Sequence, residues 1–331
     1  MYSERQQGSA WLDFLGENAQ VLSILGFFIA CLVFFSLGSA NFPTANNFLN
    51  ILRQAAPILI VAVAMTFVIV TAGIDLSVGS QVALVNAIAA ILLAAGWPWV
   101  PVVVAMIAFG IAVGLAQGWF IAYQGIPAFI VTLAGLSILR GIALWLTAGF
   151  SIPIPPIPGF FAMGRGAVWG IPVPALIAIG VVVLGLVTLQ LTKYGRQVVA
   201  VGSNAEAARR VGMPARWTIA SVYGLTGAAS ALAGLLIAAR LGSGSSNAAV
   251  GFELQVIAAV VLGGTSLMGG RGTILGTVLG ALTIAVIGNG LILMHISPFF
   301  TQIVTGAIIL VAIWLNTRIF SARLAPRRRR A

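Results

Sequence analysis

Beyond Glu17 the chain carries three carboxylates, Asp75, Glu206 and Glu253, with one histidine, His295, and one cysteine, Cys31. Proton-coupled pumping draws on relays of buried carboxylates or histidines, and metal centres draw on clusters of Cys, His, Asp and Glu. So sparse a set argues against both. There is no GxxxxGK[ST] phosphate loop in the sequence, so the chain is expected to hold no catalytic residue, metal or cofactor of its own. Cys31 reads as packing inside an apolar run, and His295 as a solvated helix end.

The most informative spacing lies in Lys193 to Arg216, KYGRQVVAVGSNAEAARRVGMPAR. Ser203 and Glu206 stand as a capping box, in which each side chain satisfies a free N–H at a helix start. Gly212 and Pro214 mark a stop. The helix between them, about Asn204 to Val211, is some two turns long, and isolated helices below about 12 residues are marginal in water. Something must hold it. Arg209 and Arg210 suit either the acidic surface of a docking partner or lipid headgroups at a surface turn; the residues alone leave both open.

Two glycine-rich breaks come next. Thr71 to Leu84 contains Gly73, Asp75, Ser77 and Gly79, and Gly263 to Leu279 contains Gly269, Gly270 and Arg271. Asp75 is placed to cap a helix beginning near Leu76 and to belong to gate architecture, with direct substrate or ion contact as the lesser reading. The alternative for both breaks is close helix packing through small residues. Arg140 lies inside an apolar segment, where a cation costs about 2.5–3.5 kcal/mol unless it is paired or wetted. Its expected partner is a helix-break carbonyl, or Asp75, with substrate contact as the lesser reading. Thr66, Gln81, Asn86, Gln117, Thr132, Ser137, Asn289 and Gln302 are neutral polar groups inside apolar runs. Singly each reads as a helix-to-helix hydrogen bond, and only a converging set would line a path for a polar solute.

These residues must be positioned by membrane helices. Of 331 residues 60% are hydrophobic and 7% charged, against roughly 25% charged in soluble domains. Runs such as Ile58 to Val70 are apolar on every face, which excludes barrel strands. The sequence predicts an all-α polytopic membrane protein of about ten spans, near 21–40, 52–72, 76–95, 101–121, 127–148, 172–192, 216–239, 253–268, 274–294 and 298–317. Residues 1–20 are then a cytoplasmic N-terminal segment, 21–317 the transmembrane domain with an inward loop at 193–216, and 318–331 a basic cytoplasmic tail. With both termini inside, the inner side collects 13 of the 17 Lys and Arg residues, as the positive-inside rule requires. The net charge of +11 is mostly this bias, with attraction to anionic lipids. Nucleic acid is not expected as a partner. The first apolar run is expected to stay as an anchor, because its flank carries Asp13 and Glu17 where a signal peptide is positive. The proline-rich stretch Phe150 to Pro174 predicts a stiff, extended outer loop. Five spans on each side of it suggest an inverted repeat.

Three motifs in order, AVAMTFVIVTAGIDLSVGS at Ala62 to Ser80, VGSNAEAARRVGM in the inward loop, and ELQVIAAVVLGGTSLMGGRGTILGTVLGAL at Glu253 to Leu282, resemble the permease subunits of ATP-binding-cassette sugar importers of the ribose, xylose and arabinose type. The likeness extends over nearly the whole chain. It implies the fold of the vitamin B12 type of importer (type II), in the bacterial inner membrane, and inward transport of a monosaccharide or polyol by alternating access. It implies a second permease subunit, identical or not, a cytoplasmic cassette ATPase that binds ATP and Mg, and an exported sugar-binding protein. It favours the docking reading of Ser203, Asn204, Glu206, Arg209, Arg210 and Gly212. It also makes Arg165, Arg240 and Glu253, all expected on the outer side, candidate contacts for the binding protein. A stand-alone facilitator or secondary transporter is the competing class.

Overall fold

A computed structural model describes residues 19–297 and the single positions 300, 303, 306, 307 and 310. The expected tenth span with Gln302, the basic tail and residues 1–18 lie outside the described residues.

Apolar runs become helices because, in lipid, only internal hydrogen bonding satisfies the backbone. They are α1 (Ala19–Gly38), α2 (Ala45–Val70), α3 (Val78–Ala94), α4 (Trp99–Ala122), α5 (Ala128–Thr147), α6 (Pro158–Arg165), α7 (Val173–Leu191), α8 (Lys193–Ser203), α9 (Ala205–Arg210), α10 (Ala215–Leu241), α11 (Phe252–Leu262) and α12 (Ile274–Leu293). Among the described residues seven, α1, α2, α4, α5, α7, α10 and α12, are long and apolar enough to cross a membrane. α2 starts seven residues before its predicted span because Thr44 caps it, its hydroxyl accepting from the Asn47 N–H at 3.3 Å, so that the polar stretch Ala45 to Leu52 is also helical.

Buried α2, α3 and α10 form the centre, while α1, α4, α5 and α7 turn much of their apolar surface outward. On α4, Gly110, Gly114 and Gly118 form a small-residue stripe that meets Gly227, Tyr223 and Ala220 of α10 backbone to backbone. A Cβ at Gly114 would overlap the Tyr223 carbonyl oxygen, so only glycine permits this approach.

Three expectations are corrected. The predicted span 253–268 is an 11-residue helix, α11, about 16 Å long and so about half the hydrocarbon thickness. Gly263 and Gly264 then end it. The proline-rich outer loop is extended only at first. Pro158 occupies the first turn of α6, where its fixed φ favours a helix and its missing N–H costs nothing. The rest forms short strand pairs: β1 (Ile152–Pro153) beside β4 (Ser243–Gly244), and the hairpin β2 (Ala167–Val168) with β3 (Ile171–Pro172), turned by Trp169 and Gly170 at φ of 50° and 81°. Finally, the inward loop holds two helices where one was predicted.

Candidate functional site

The inward loop is built by successive caps. The Thr192 hydroxyl accepts from the Gly195 N–H at 3.1 Å and starts α8. Asn204, not Ser203, starts α9, its Oδ1 accepting from the Ala207 N–H at 2.9 Å. The predicted capping box does not form, because Ser203 ends α8 and donates its hydroxyl to the Val199 carbonyl at 3.0 Å. Glu206 is instead held by Arg209 at 2.9 Å and Arg210 at 3.2 Å. All three side chains are more than half exposed, so the pairs fix direction more than they stabilise. Gly212 ends α9 as predicted. At φ 81° it donates to the Arg209 carbonyl while Met213 donates to that of Ala208, each at 3.0 Å, the Schellman arrangement. Buried Ala208 packs with Val201 and Ala215, which holds a helix too short to stand alone.

α8 is keyed into both breaks. A Cβ at Gly202 would overlap the Val70 carbonyl oxygen at the end of α2 and lie 2.8 Å from the Gly270 nitrogen. Gly270 donates its N–H to that same carbonyl at 2.8 Å. A Cβ at Gly269 would lie 2.7 Å from the Gly202 oxygen and 2.9 Å from the Ala72 nitrogen. Three chain segments thus share one close joint, beside which Arg271 remains exposed.

In the first break, Asp75 is buried and its Oδ1 accepts from the Ser77 N–H at 2.9 Å and the Ser77 hydroxyl at 2.7 Å. The helix starts at Val78, two residues later than the reading from sequence, and Asp75 braces the approach to it. Ser77 Oγ also lies 3.0 Å from the Gln117 amide oxygen. Its single proton serves Asp75, so the Gln117 amide is best assigned with its NH₂ towards Ser77. Tyr223 donates to the Ile74 carbonyl at 3.4 Å, and the Thr132 hydroxyl stands at the same distance from that oxygen while donating to the Ala128 carbonyl at 2.9 Å. Asp75, Ser77, Gln117 and Thr132 therefore converge, and Tyr223 joins them unforeseen, because an interior tyrosine on a long apolar helix gives no separate signal.

The other polar residues do not converge. The Thr66 hydroxyl meets Thr277 at 2.8 Å, Gln81 donates to the Gly110 carbonyl at 2.9 Å, and Asn289 accepts from Asn47 at 3.0 Å. Asn86 donates to the Gly234 carbonyl at 3.2 Å and accepts from the Ser245 N–H at 2.6 Å. These are helix-to-helix and helix-to-loop ties.

A third break, unforeseen, separates α10 from α11. Residues 245–251 run back from β4, and at their end Glu253 lies against Gly79, the second residue of α3. Glu253 is therefore not beside Arg240, which stands in the last turn of α10. Gly79 stands some 15 residues, about 22 Å, along α3 from Ala94. The start of α11 thus lies against the start of α3. Arg140 donates through Nη1 to the Ser246 carbonyl and, at 3.0 Å, to that of Ala248, the helix-break partner expected but from this different break. The sequence did carry a signal in LGSGSSNAAVG, a Gly/Ser/Asn cluster typical of irregular backbone.

At the end of α10, Arg165 Nε donates to the Arg240 carbonyl at 2.8 Å, and its guanidinium stands 4.5 Å from the Phe161 ring centre. Arg53 is close enough to repel Arg240 electrostatically. Arg53 is not among the contacts expected from the sequence, since nothing in its own segment links it to the other two. The carboxylates of the described residues, Asp75, Glu206 and Glu253, all lie elsewhere.

The family described as branched-chain amino acid transport system / permease component matches residues 47–313. The xylose transport system permease protein XylH of Escherichia coli is 34% identical over 362 residues, covering 91% of this chain and 92% of that protein. The ribose import permease protein RbsC of Escherichia coli is 40% identical over 286 residues, covering 85% and 88%. The probable ABC transporter permease protein YphD of the same organism is 41% identical over 304 residues, covering 92% and 91%. No solved structure matches. A chain of seven helices long and apolar enough to cross a membrane among the described residues, with a match this long, is a transport permease: it belongs to the branched-chain amino acid transport system permease component family.

Proposed function

We propose that this chain is the membrane subunit of an ATP-driven importer of a monosaccharide or related polyol, working by alternating access in a bacterial inner membrane. Relatives named for xylose and ribose import support the substrate class. The observation that carries the coupling role is the joint of Gly202, Val70 and Gly270, which ties the α8–α9 pair to the ends of two helix breaks. A cytoplasmic cassette ATPase binds ATP and Mg and docks on Ser203, Asn204, Glu206, Arg209, Arg210 and Gly212. Gly73, Asp75, Ser77 and Gly79 with Gly269, Gly270 and Arg271 form the moving gate. An exported sugar-binding protein docks outside on Arg165 and Arg240, with Arg53 as a third cation. Two permease subunits enclose the path, in a type II arrangement with about ten spans each, both termini cytoplasmic, and the basic inner side resting on anionic lipids.

The test is reconstitution in vesicles with the cognate ATPase and binding protein, following labelled D-xylose and D-ribose. Accumulation that requires ATP on the side of α8–α9 is expected. Accumulation without ATP, or ATP hydrolysis by the purified chain alone, would overturn the proposal.

A further inference from the structure

Arg140 and Glu253, two charged groups at membrane depth, stand beside one irregular segment and use only part of their hydrogen-bonding capacity. Helix α5 buries Thr132, Leu139, Ala143 and Thr147 and leaves most of its surface uncovered. Ser137 is exposed and Arg140 half-buried, three residues apart and so on one side of the helix. Arg140 stands 12 residues after Ala128 and seven before Thr147, roughly 18 Å and 10 Å from the two ends. Beside it runs the non-helical segment 245–251, with Asn247 exposed between the two carbonyls that Arg140 holds. Irregular backbone and a cation at this depth are tolerated only when buried in protein or lining water.

The charges themselves are incompletely used. A guanidinium has five N–H donors. The two carbonyls occupy Nη1 of Arg140, while its Nε and Nη2 donors have no partner among the described residues. Glu253 follows directly on the segment whose Ser246 and Ala248 carbonyls Arg140 holds, yet no nitrogen of the described cations comes within 4.0 Å of it. Its Oε2 is enclosed against Gly79 without a hydrogen-bond donor. A purely structural pair would close into direct contact, because separated buried charges are costly.

We infer that α5, residues 245–251 and the start of α11 form a polyol-binding surface on the translocation path, where Arg140 donates and Glu253 accepts hydrogen bonds from neighbouring hydroxyls. A hydroxyl both donates and accepts, so a vicinal diol bridges a guanidinium and a carboxylate that do not meet. The two charges cancel, which fits a neutral ligand and neither an anion nor a cation. Exposed Val250 and Leu254 flank the pair and offer apolar contact to the C–H face of a sugar ring. This assignment rests on the importer of polyols proposed above, and deepens it by placing the contact.

Cys31 is the chain's one cysteine, so a Cys31→Ser background permits single-cysteine reporters in the complete transporter in membranes. Ser137→Cys and Asn247→Cys are expected to react with the charged, water-soluble methanethiosulfonate ethylsulfonate at least about tenfold faster than Leu184→Cys on the exposed side of α7. Equal rates, or disulfide formation between two copies at Ser137→Cys without labelling, would overturn the water-lined surface. The pair is tested by uptake of D-xylose, D-ribose and their monodeoxy analogues. Glu253→Gln is expected to lower uptake of the preferred sugar about tenfold, the equivalent of one hydrogen bond to a charged group, while uptake of one deoxy analogue changes little. Arg140→Lys, which keeps the charge but not the fork, is expected to blunt discrimination at a different hydroxyl. Unchanged selectivity in both variants, with normal assembly with the ATPase, overturns the assignment. ATP-independent uptake would sink the importer and leave the labelling result standing, so the two failures are separable.

Discussion

Single residues divide by whether their polar atoms are satisfied. Asn86 uses both ends of its amide, joining α10 to the third break, and Asn86→Ala leaves the Ser245 N–H without its acceptor. A cost of about 1–3 kcal/mol is expected, read as a lower thermal midpoint of the purified protein. Thr66→Val is milder, at about 1 kcal/mol or less, because the Thr277 hydroxyl can turn to a carbonyl of its own helix. A Thr66 variant at least as damaging as the Asn86 variant would show that the first tie, not the second, secures the core. Polar residue types inside apolar runs were legible in the sequence, and so was the need of Arg140 for helix-break carbonyls. Which residues meet was not, because a hydrogen bond such as that from Asn47 to Asn289 joins positions distant in sequence and leaves no local spacing.

Among the elements, α8 is fixed by glycine contact and α9 carries paired charge. Gly202→Ala places a methyl group on the Val70 carbonyl, with no flexible side chain to give way. It is expected to keep ATPase co-purification and lower sugar uptake per ATP hydrolysed; an unchanged ratio would remove the joint from the coupling route. Arg209→Glu with Arg210→Glu replaces two attractions to Glu206 by repulsions and reverses the exposed charge of α9. Weaker ATPase association with normal membrane insertion is expected, and unchanged co-purification would return the loop to a surface turn. The long apolar helices were readable because hydropathy reports lipid exposure directly. The short ones were not. α11 is as apolar as a span, and only its end at Gly263 shows that it stops halfway. Ser203 fits a capping pattern, yet α8 continues through it, because amphipathic residues from Lys193 onward extend a helix already capped by Thr192.

For the whole molecule, charge separates the faces. Arg53, Arg165 and Arg240 gather at one end without a carboxylate among the described residues, and α8–α9 presents a basic surface at the other. With the docking proposed above, replacing these three arginines by glutamine is expected to weaken capture of the binding protein several-fold at low salt and to flatten its salt dependence, measured by binding to the reconstituted transporter. An unaltered salt profile would exclude the cluster from docking. Partner surfaces of this kind are only half legible in sequence, since Arg53 and Arg240 belong to helices far apart in the chain and join only through the fold.

In the proposed function the chain conducts a sugar without driving it. The most direct measurement is equilibration of labelled D-xylose and D-ribose into vesicles containing the purified chain alone, beside vesicles that also contain the ATPase, the binding protein and ATP. The expected result is negligible equilibration by the chain alone and accumulation by the complete assembly. Equilibration by the chain alone, at a rate comparable to that of the complete system, would make it a facilitator and contradict the claim.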